Sequence, residues 1–432
     1  MKPLIATFLV FMGLLLWKKG LRMAALAINI DRLWNDLETL ATFSAGGEGV
    51  NRVTFSDEDR AARAYLRAQM ALAGLEVVEI PPGVMLGRLN PPTSSGPAVM
   101  SGSHIDAVPS AGRFDGIVGV VGALEVGRVL AEQRVALKHP YEVVIYPEEE
   151  GTRFGAVLTG SKAWVGDLGV SQLAAMRDRD GISYLAAMEA YGLKADDLER
   201  QRFKPARAKA ILELHIEQSV VLEECGKQIG VVTTITGIRS FEVTLRGVAN
   251  HAGATPMDRR RDALAGAAEI MLALERLAPT LGPHTVCTVG QISCSPGARN
   301  VIPGDVRFSI DFRDIEGLDG KWDQVEPRIR AIASARHLAM ELRPMSSSEP
   351  VALSPTMQDL LELICGRRGL SCMRMPSGAV HDAQVMARLA DTGMIFIPSR
   401  GGRSHCPEEY SEPAQVEQGA NVLLDAVLAL AG

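Results

Sequence analysis

The chain of 432 residues is too long for one typical hydrophobic core, and its 47% apolar content can fill the interiors of two domains. A formal net charge of −6 argues against a nucleic-acid partner, because the one basic run, Arg259, Arg260 and Arg261, is short and flanked by Asp258 and Asp262. The cysteines, Cys225, Cys287, Cys294, Cys365, Cys372 and Cys406, are scattered without a C-x-x-C pair, which is cytoplasmic usage and not a disulfide framework.

Residues 4–17 form an apolar run followed by Lys18, Lys19 and Arg22. The run is shorter than the ~20 residues of a membrane span. Its positive charge also follows the apolar stretch, whereas a signal peptide carries charge ahead of it. Residues 1–26 are therefore expected to be an N-terminal extension. Either residues 1–22 precede a true start at Met23, or the apolar run is an anchor whose basic flank keeps the following domain inside the cell. A cytoplasmic enzyme without a membrane partner is the reading adopted.

An amphipathic first helix is expected over 27–40, and a charged, alanine-rich helix over 57–73. Short apolar, β-branched runs at 98–103, 141–146, 210–214 and 394–397 read as strands buried on both faces of a largely parallel sheet. Each leads into a motif: GSHIDAVP with GRFDG, PEEEG, LELHIEQ and RGGRSHCPEE. Helices are expected at 116–133, 357–368 and 417–431. Together these elements predict an α/β fold, a doubly wound and mostly parallel sheet, built discontinuously from residues 27–236 and 351–432. Residues 237–350 differ. Strands at 239–245, 285–292 and 306–311 alternate with helices at 262–277 and 325–335, which predicts a smaller α+β sandwich inserted into the larger domain, with a hinge near Gly237.

The motifs place His104, Asp115, Glu149, Glu150, His215 and His405 at or just beyond strand ends, where open α/β sheets collect ligands. Imidazole and carboxylate donors suit borderline divalent ions, and a carboxylate such as Asp115 can bridge two ions. Adjacent Glu149 and Glu150 diverge at a strand-to-loop transition, so Glu150 is assigned to metal and Glu149 to the general base. Cys406 follows His405 directly and is expected to point away from the metals. His139, His284 and His337 have no partner motif and read as structural or solvent-facing.

GSHIDAVPSAGRFDG, PEEEGTRFGAVLTGSKAW, LELHIEQSVVLE, NHAGATPMDRRRDA, RNVIPGDVRFSIDFRD, PSGAVHDA and SHCPEEY resemble, in order, the M20 amidohydrolase branch. That branch holds N-carbamoyl-L-amino acid hydrolases, β-ureidopropionases and allantoate amidohydrolases. The resemblance runs from about residue 30 to the C-terminus. It implies that His104, Asp115, Glu150, His215 and His405 hold two divalent ions per subunit (Zn, Mn, Co or Ni), with Asp115 as the bridge and Glu149 as the base. It further implies that Gln218, His251, Asn300 and Arg313 bind substrate, His251 polarising the scissile carbonyl and Arg313 holding a carboxylate. The inserted domain becomes a lid and dimerisation domain of a homodimer.

Three of these positions also allow a reading without substrate. Arg313 offers a planar fork matched to a carboxylate, but it could equally pair with Asp311 or Asp314. His251 could cap a local turn. His381 and Asp382 could orient ligands or cap a helix beginning near Asp382. Val380 stands where the family has Gly or Ala, and a branched side chain there would narrow a pocket or restrict the backbone.

The expected reaction is hydrolysis of the carbamoyl C–N bond of a small ureido substrate with a carboxylate, an N-carbamoyl-L-amino acid or allantoate, releasing ammonia and carbon dioxide. The alternatives are an M20 aminopeptidase or N-acyl-amino acid amidohydrolase, and a binding protein that keeps the fold without catalysis.

Overall fold

The computed structural model describes residues 26–432. The expectations for residues 1–25 lie outside the described residues. Among the described residues, no helix is long and apolar enough to cross a membrane.

Helix α1 (Ile30–Ala41) starts where the Asn29 side chain accepts the Arg32 N–H, and α2 (Asp57–Leu72) where Ser56 does the same for Asp59. Strands β1 (Glu76–Ile80), β2 (Val84–Leu89) and β3 (Ala98–His104) follow, then α3 (Ile117–Glu132), β4 (Tyr141–Tyr146), β5 (Ala208–Ile216) and β6 (Ile229–Ile235). Nearly all of α3 is buried, as expected of a helix apolar on every side. The chain then leaves this layer through β7 (Gly237–Arg246), β8 (Asn250–His251), α4 (Ala263–Leu281), β9 (Val286–Thr288), β10 (Ile292–Ser295), β11 (Val301–Ile302), β12 (Asp305–Asp314), α5 (Leu318–Ala335) and β13 (Ala339–Ser348). It returns through β14 (Val351–Ala352), α6 (Pro355–Arg368), β15 (Cys372–Ser377), α7 (Asp382–Met386), β16 (Asp391–Ile397) and α8 (Pro413–Ala431).

The first layer is a nine-stranded mixed sheet in the order β1-β2-β4-β3-β5-β16-β6-β14, with β15 also on β6. Its centre, β4-β3-β5-β16, is parallel throughout, and antiparallel pairings lie outside it. The inserted sheet, β10-β12-β7-β13, is antiparallel. Phe241, Val243 and Leu245 of β7 and Val306, Phe308, Ile310 and Phe312 of β12 recur at alternate positions and bury one face against α4 and α5. A mixed α/β sheet layer with a smaller α+β layer inserted in it is the class the sequence predicts.

The outgoing and returning chains run side by side. Ile235 pairs with Val351 and Thr234 with Ala352, next to Gly237. Two local expectations fail. The single strand at 285–292 is two, β9 and β10, because the pairing on β12 slips by one residue between Thr288 opposite Asp311 and Ile292 opposite Phe308. Helix α5 begins at Leu318, seven residues before the expected start, and carries Pro327 in its interior.

Candidate metal centre and active site

The four parallel strands β4, β3, β5 and β16 are immediate neighbours, and each delivers a motif residue at or beyond its carboxyl end. His104 closes β3, His215 lies one residue from the end of β5, Glu149 and Glu150 follow β4, and His405 lies in the loop after β16. Asp115 comes from the loop between β3 and α3. The expected convergence on one sheet edge is what the fold does.

Asp115 stands between two sets of donors. Its Oδ1 lies 3.2 Å from His215 Nε2 and 3.5 Å from His104 Nε2, while its Oδ2 lies 3.3 Å from His405 Nε2. His405 Nε2 is also 3.3 Å from Glu150 Oε1. His104, Asp115 and His215 thus form one group of converging donor atoms, and Asp115, Glu150 and His405 form another. The two groups share only Asp115. Burial opposes charge on Asp115, but the three imidazoles hold it well below the usual carboxylate range. Burial likewise opposes the proton on His405, yet Asp115 and Glu150 raise it to about 11.

Both inner imidazoles are oriented through Nδ1. His104 Nδ1 bonds to the Asp106 carbonyl at 3.0 Å and His215 Nδ1 to the Ile216 carbonyl at 2.9 Å, so each Nε2 faces Asp115. Gly116 must be glycine: its φ is +68° and a Cβ would lie 2.5 Å from His104 Nε2.

Glu149 is buried, its Oε2 lies 3.8 Å from His104 Nε2, and its Oε1 has no partner. Burial pushes its carboxyl well above the ordinary value, helped by Glu150, Asp382 and Asp106 and opposed by His104. A carboxylate raised in this way is a fit acceptor for a water proton. Glu148 turns away at φ +55°, where its Oε1 accepts from the Arg153 and Phe154 amides.

The sequence reading missed Asp106 and Glu409. Asp106 Oδ1 accepts the Glu149 N–H and Oδ2 the Glu150 N–H, at 3.2 and 3.1 Å, so one carboxylate fixes both glutamates. The signal was its place two residues after His104. Glu409, in SHCPEEY, accepts the backbone N–H groups of Phe114 and Asp115.

The chain matches the model of "Peptidase family M20/M25/M40" over residues 100–429. It is 38% identical to an N-carbamoyl-L-amino-acid amidohydrolase of Paenarthrobacter aurescens, over 93% of this chain and 98% of that one. The chain belongs to the M20/M25/M40 peptidase family. An allantoate amidohydrolase of Bacillus subtilis is 35% identical, over 91% and 96% of the two chains. The crystal structure of an amidase of the hydantoinase/carbamoylase family from Burkholderia multivorans has a TM-score of 0.84 at 35% identity, covering 94% and 98%.

Within this M20 fold the other expected positions are placed unequally. Gln218, at φ +60°, donates Nε2 to Asp115 Oδ2 at 2.6 Å and leaves its Oε1 buried without a partner. His251 and Asn300 come together on the β8–β11 ribbon, where the Ala252 N–H bonds to the Asn300 carbonyl. His251 is exposed and its Nδ1 accepts the Gly253 and Ala254 N–H groups, so any proton on a neutral ring is on Nε2. Neither residue bonds to the metal cluster among the described residues. Arg313 does cross to the larger layer, donating to the Gly378 carbonyl at 3.2 Å.

Val380 does not reach into a cleft: it is buried with Leu158, Ile238 and Val385, between the loop after Glu149 and the first strand of the inserted layer. His381 occupies the N-cap position of α7 without a capping bond from its side chain. Its ring packs edge-on against His215 at 4.5 Å and its Nε2 meets Ser377 Oγ at 2.9 Å, which favours the orienting reading. Cys406 joins none of the donor groups.

The donor set fits a pair of divalent ions. Each group combines imidazole and carboxylate, the shared aspartate offers one oxygen to each, and the buried Glu149 oxygen beside them lacks a partner.

Proposed function

We propose that the protein is a metal-dependent amidohydrolase that cleaves the carbamoyl C–N bond of N-carbamoyl-L-amino acids or allantoate. The observation that carries this reading is the pair of donor groups sharing Asp115 with the unpartnered Glu149 Oε1 beside them. The likeness to relatives named for those substrates supports the choice.

His104, Asp115 and His215 would hold one divalent ion, and Asp115, Glu150 and His405 the other, Zn, Mn, Co and Ni all suiting the set. Bound there, the ions supply Lewis acidity toward a carbonyl and toward water. Glu149 takes the proton of the water that attacks the ureido carbonyl and returns it to the departing nitrogen. His251, with its proton on Nε2, donates to the developing oxyanion. Arg313 and Asn300 receive the substrate carboxylate, and Gln218 faces the substrate from the Asp115 side. Hydrolysis of an N-carbamoyl amino acid yields the amino acid, ammonia and carbon dioxide, and of allantoate yields ureidoglycine with the same two products.

The exposed ribbon carrying His251 and Asn300 reaches the centre by closure of the inserted layer as a lid about the two crossings at residues 237 and 350, or from the lid of a second subunit. Exposed apolar side chains on this layer, Leu272, Val286, Ile292 and Met345, suit the interface of a homodimer.

The test is ammonia release from allantoate and a panel of N-carbamoyl-L- and D-amino acids by metal-reconstituted protein. Turnover of one class by wild type, abolished in Glu149→Gln with metal content unchanged, supports the reading. Metal-loaded protein that ignores every ureido compound but cleaves peptides or N-acyl amino acids would replace it with the peptidase or acylase reading.

A further inference from the structure

Glu409 lies only four residues beyond His405, yet it is 2% exposed and reaches a loop nearly three hundred residues earlier. Its Oε1 accepts the Phe114 N–H at 2.9 Å and the Asp115 N–H at 3.1 Å. Its Oε2 meets Ser404 Oγ at 2.8 Å, and the same hydroxyl lies 2.9 Å from Asp115 Oδ2. The Glu409 N–H closes a turn onto the Cys406 carbonyl at 3.1 Å, bracing the segment in which His405 takes a positive φ of 56°. Gly112 leaves the space for this approach: a Cβ there would stand 2.3 Å from Glu409 Cβ.

No lysine, arginine or histidine forms an ion pair with Glu409 among the described residues. Burying a carboxylate without a cation is costly, so its hydrogen bonds to two amides and a hydroxyl have to hold it. The two amide bonds connect the loop of the shared aspartate to the loop of His405, and the hydroxyl bond braces the latter loop internally. The same loops also meet through the edge-on rings of Phe114 and Tyr410, 5.5 Å apart, and through Ser404 and Asp115 Oδ2.

We propose that Glu409 is a positioning residue, a strut between the Asp115 and His405 loops that sets how Asp115, Glu150 and His405 converge on one ion. The inference rests on the two-ion reading of the site. Glu409 holds the Asp115 backbone N–H from behind while Gln218 and Ser404 hold Oδ2 from the front, so Glu409 sets the backbone from which Oδ2 faces His405. The group of His104, Asp115 and His215 has other supports, the Nδ1 bonds of both imidazoles, and depends on the strut less.

The experiment is calorimetric titration of chelator-stripped protein with zinc chloride, for wild type, Glu409→Ala, Glu409→Gln and Ser404→Ala, together with melting of each stripped protein. Glu409→Ala should weaken one of two zinc sites by roughly 10- to 100-fold and spare the other, as loss of a group that orients a ligand does. Glu409→Gln keeps an oxygen for both amides and an NH2 for Ser404, and should restore that site to within roughly threefold of wild type. If Glu409→Ala fails to fold, Ser404→Ala carries the test: it keeps both amide bonds and should weaken the same site alone.

A merely structural strut would lower the melting temperature and leave both affinities at the wild-type value, and that pattern overturns the proposal. So does equal weakening of both sites. Wild type that takes up no zinc at all would sink the two-ion reading and the strut with it, an outcome distinct from unaltered binding by the variants.

Discussion

Arg313 grips Asp311 with a two-point fork, Nε to Oδ1 at 2.7 Å and Nη2 to Oδ2 at 3.0 Å, on one face of β12. The remaining nitrogen, Nη1, reaches the Gly378 carbonyl across the junction between the layers. The sequence offered Arg313 either as an anion anchor or as the partner of Asp311 or Asp314. Asp314 is instead taken by Lys321 at 2.6 Å. Pairing with Asp311 and anchoring are compatible, because Asp311 holds one edge of the guanidinium and aims the other toward the larger layer.

Arg313→Lys should therefore raise KM for a carboxylate-bearing substrate more than it lowers kcat. Lysine keeps the charge but loses the planar fork, and a charge-assisted bond of about 1.5–3 kcal/mol corresponds to roughly 10- to 100-fold. Asp311→Asn should give a smaller rise, since the arginine stays but is less firmly aimed. Initial rates over a substrate series decide the point, and unchanged KM in Arg313→Lys would remove this arginine from the anchor.

Much of the centre was legible because chemistry and topology coincide. His104, Glu149, Glu150, His215 and His405 follow four apolar runs that become adjacent parallel strands, and a residue at such a strand end has few other reasons to be polar. Glu409 was not legible, since its work is done through backbone amides that leave no pattern in the sequence, and Asp106 offered only its place two residues after His104. Of the two readings of Val380, a narrowed pocket or a restricted backbone, burial of the side chain leaves the second. Its position near His381 suggests the cleft, but only packing shows that the side chain turns toward Ile238. His251 lies exposed on the inserted layer, and how that layer stands against the larger sheet is encoded in no local pattern.

Removal of metal should lower stability as well as activity. The stripped centre leaves Asp106, Asp115 and Glu149 buried together around His104, and ions that bind only the folded state stabilise it by about 2.7 kcal/mol at a hundredfold excess over Kd. Thermal unfolding after chelation should begin several degrees lower and recover on adding zinc or manganese. An identical transition with and without chelator would count against a resident ion.

Stability can also be separated from catalysis on the far side of α3. Arg128 is buried and donates to Asp36, to Glu125 at 3.3 Å and to Gln69 at 2.7 Å, while Arg32 grips Glu125 from outside at 2.8 Å. Arg128→Met would strand Asp36 without its cation, and breaking a buried pair in this way costs about 3–5 kcal/mol. The site is roughly 16 Å along the helix from Ile117, so kcat of the folded fraction should not change. Urea unfolding followed by tryptophan fluorescence gives the loss, and a loss below about 1 kcal/mol would mean that the network relaxes onto water.

Asp36 also ties this network to pH. The Tyr65 hydroxyl donates to Asp36 Oδ1 at 2.6 Å, and burial together with that bond pushes the phenol up to about 12. A folded-state value above the unfolded one near 10 means that the folded chain keeps its proton longer. The associated stability is fully present below pH 10 and is lost as pH rises from about 10 toward 12. Tyr65→Phe has no proton to lose. Its stability deficit relative to wild type should be constant from pH 7 to pH 9 and should then shrink as pH climbs past 10, an outcome read from urea midpoints at each pH. A deficit that stays constant to pH 11.5 would show that the Tyr65 proton is no better held in the folded chain than in the unfolded one.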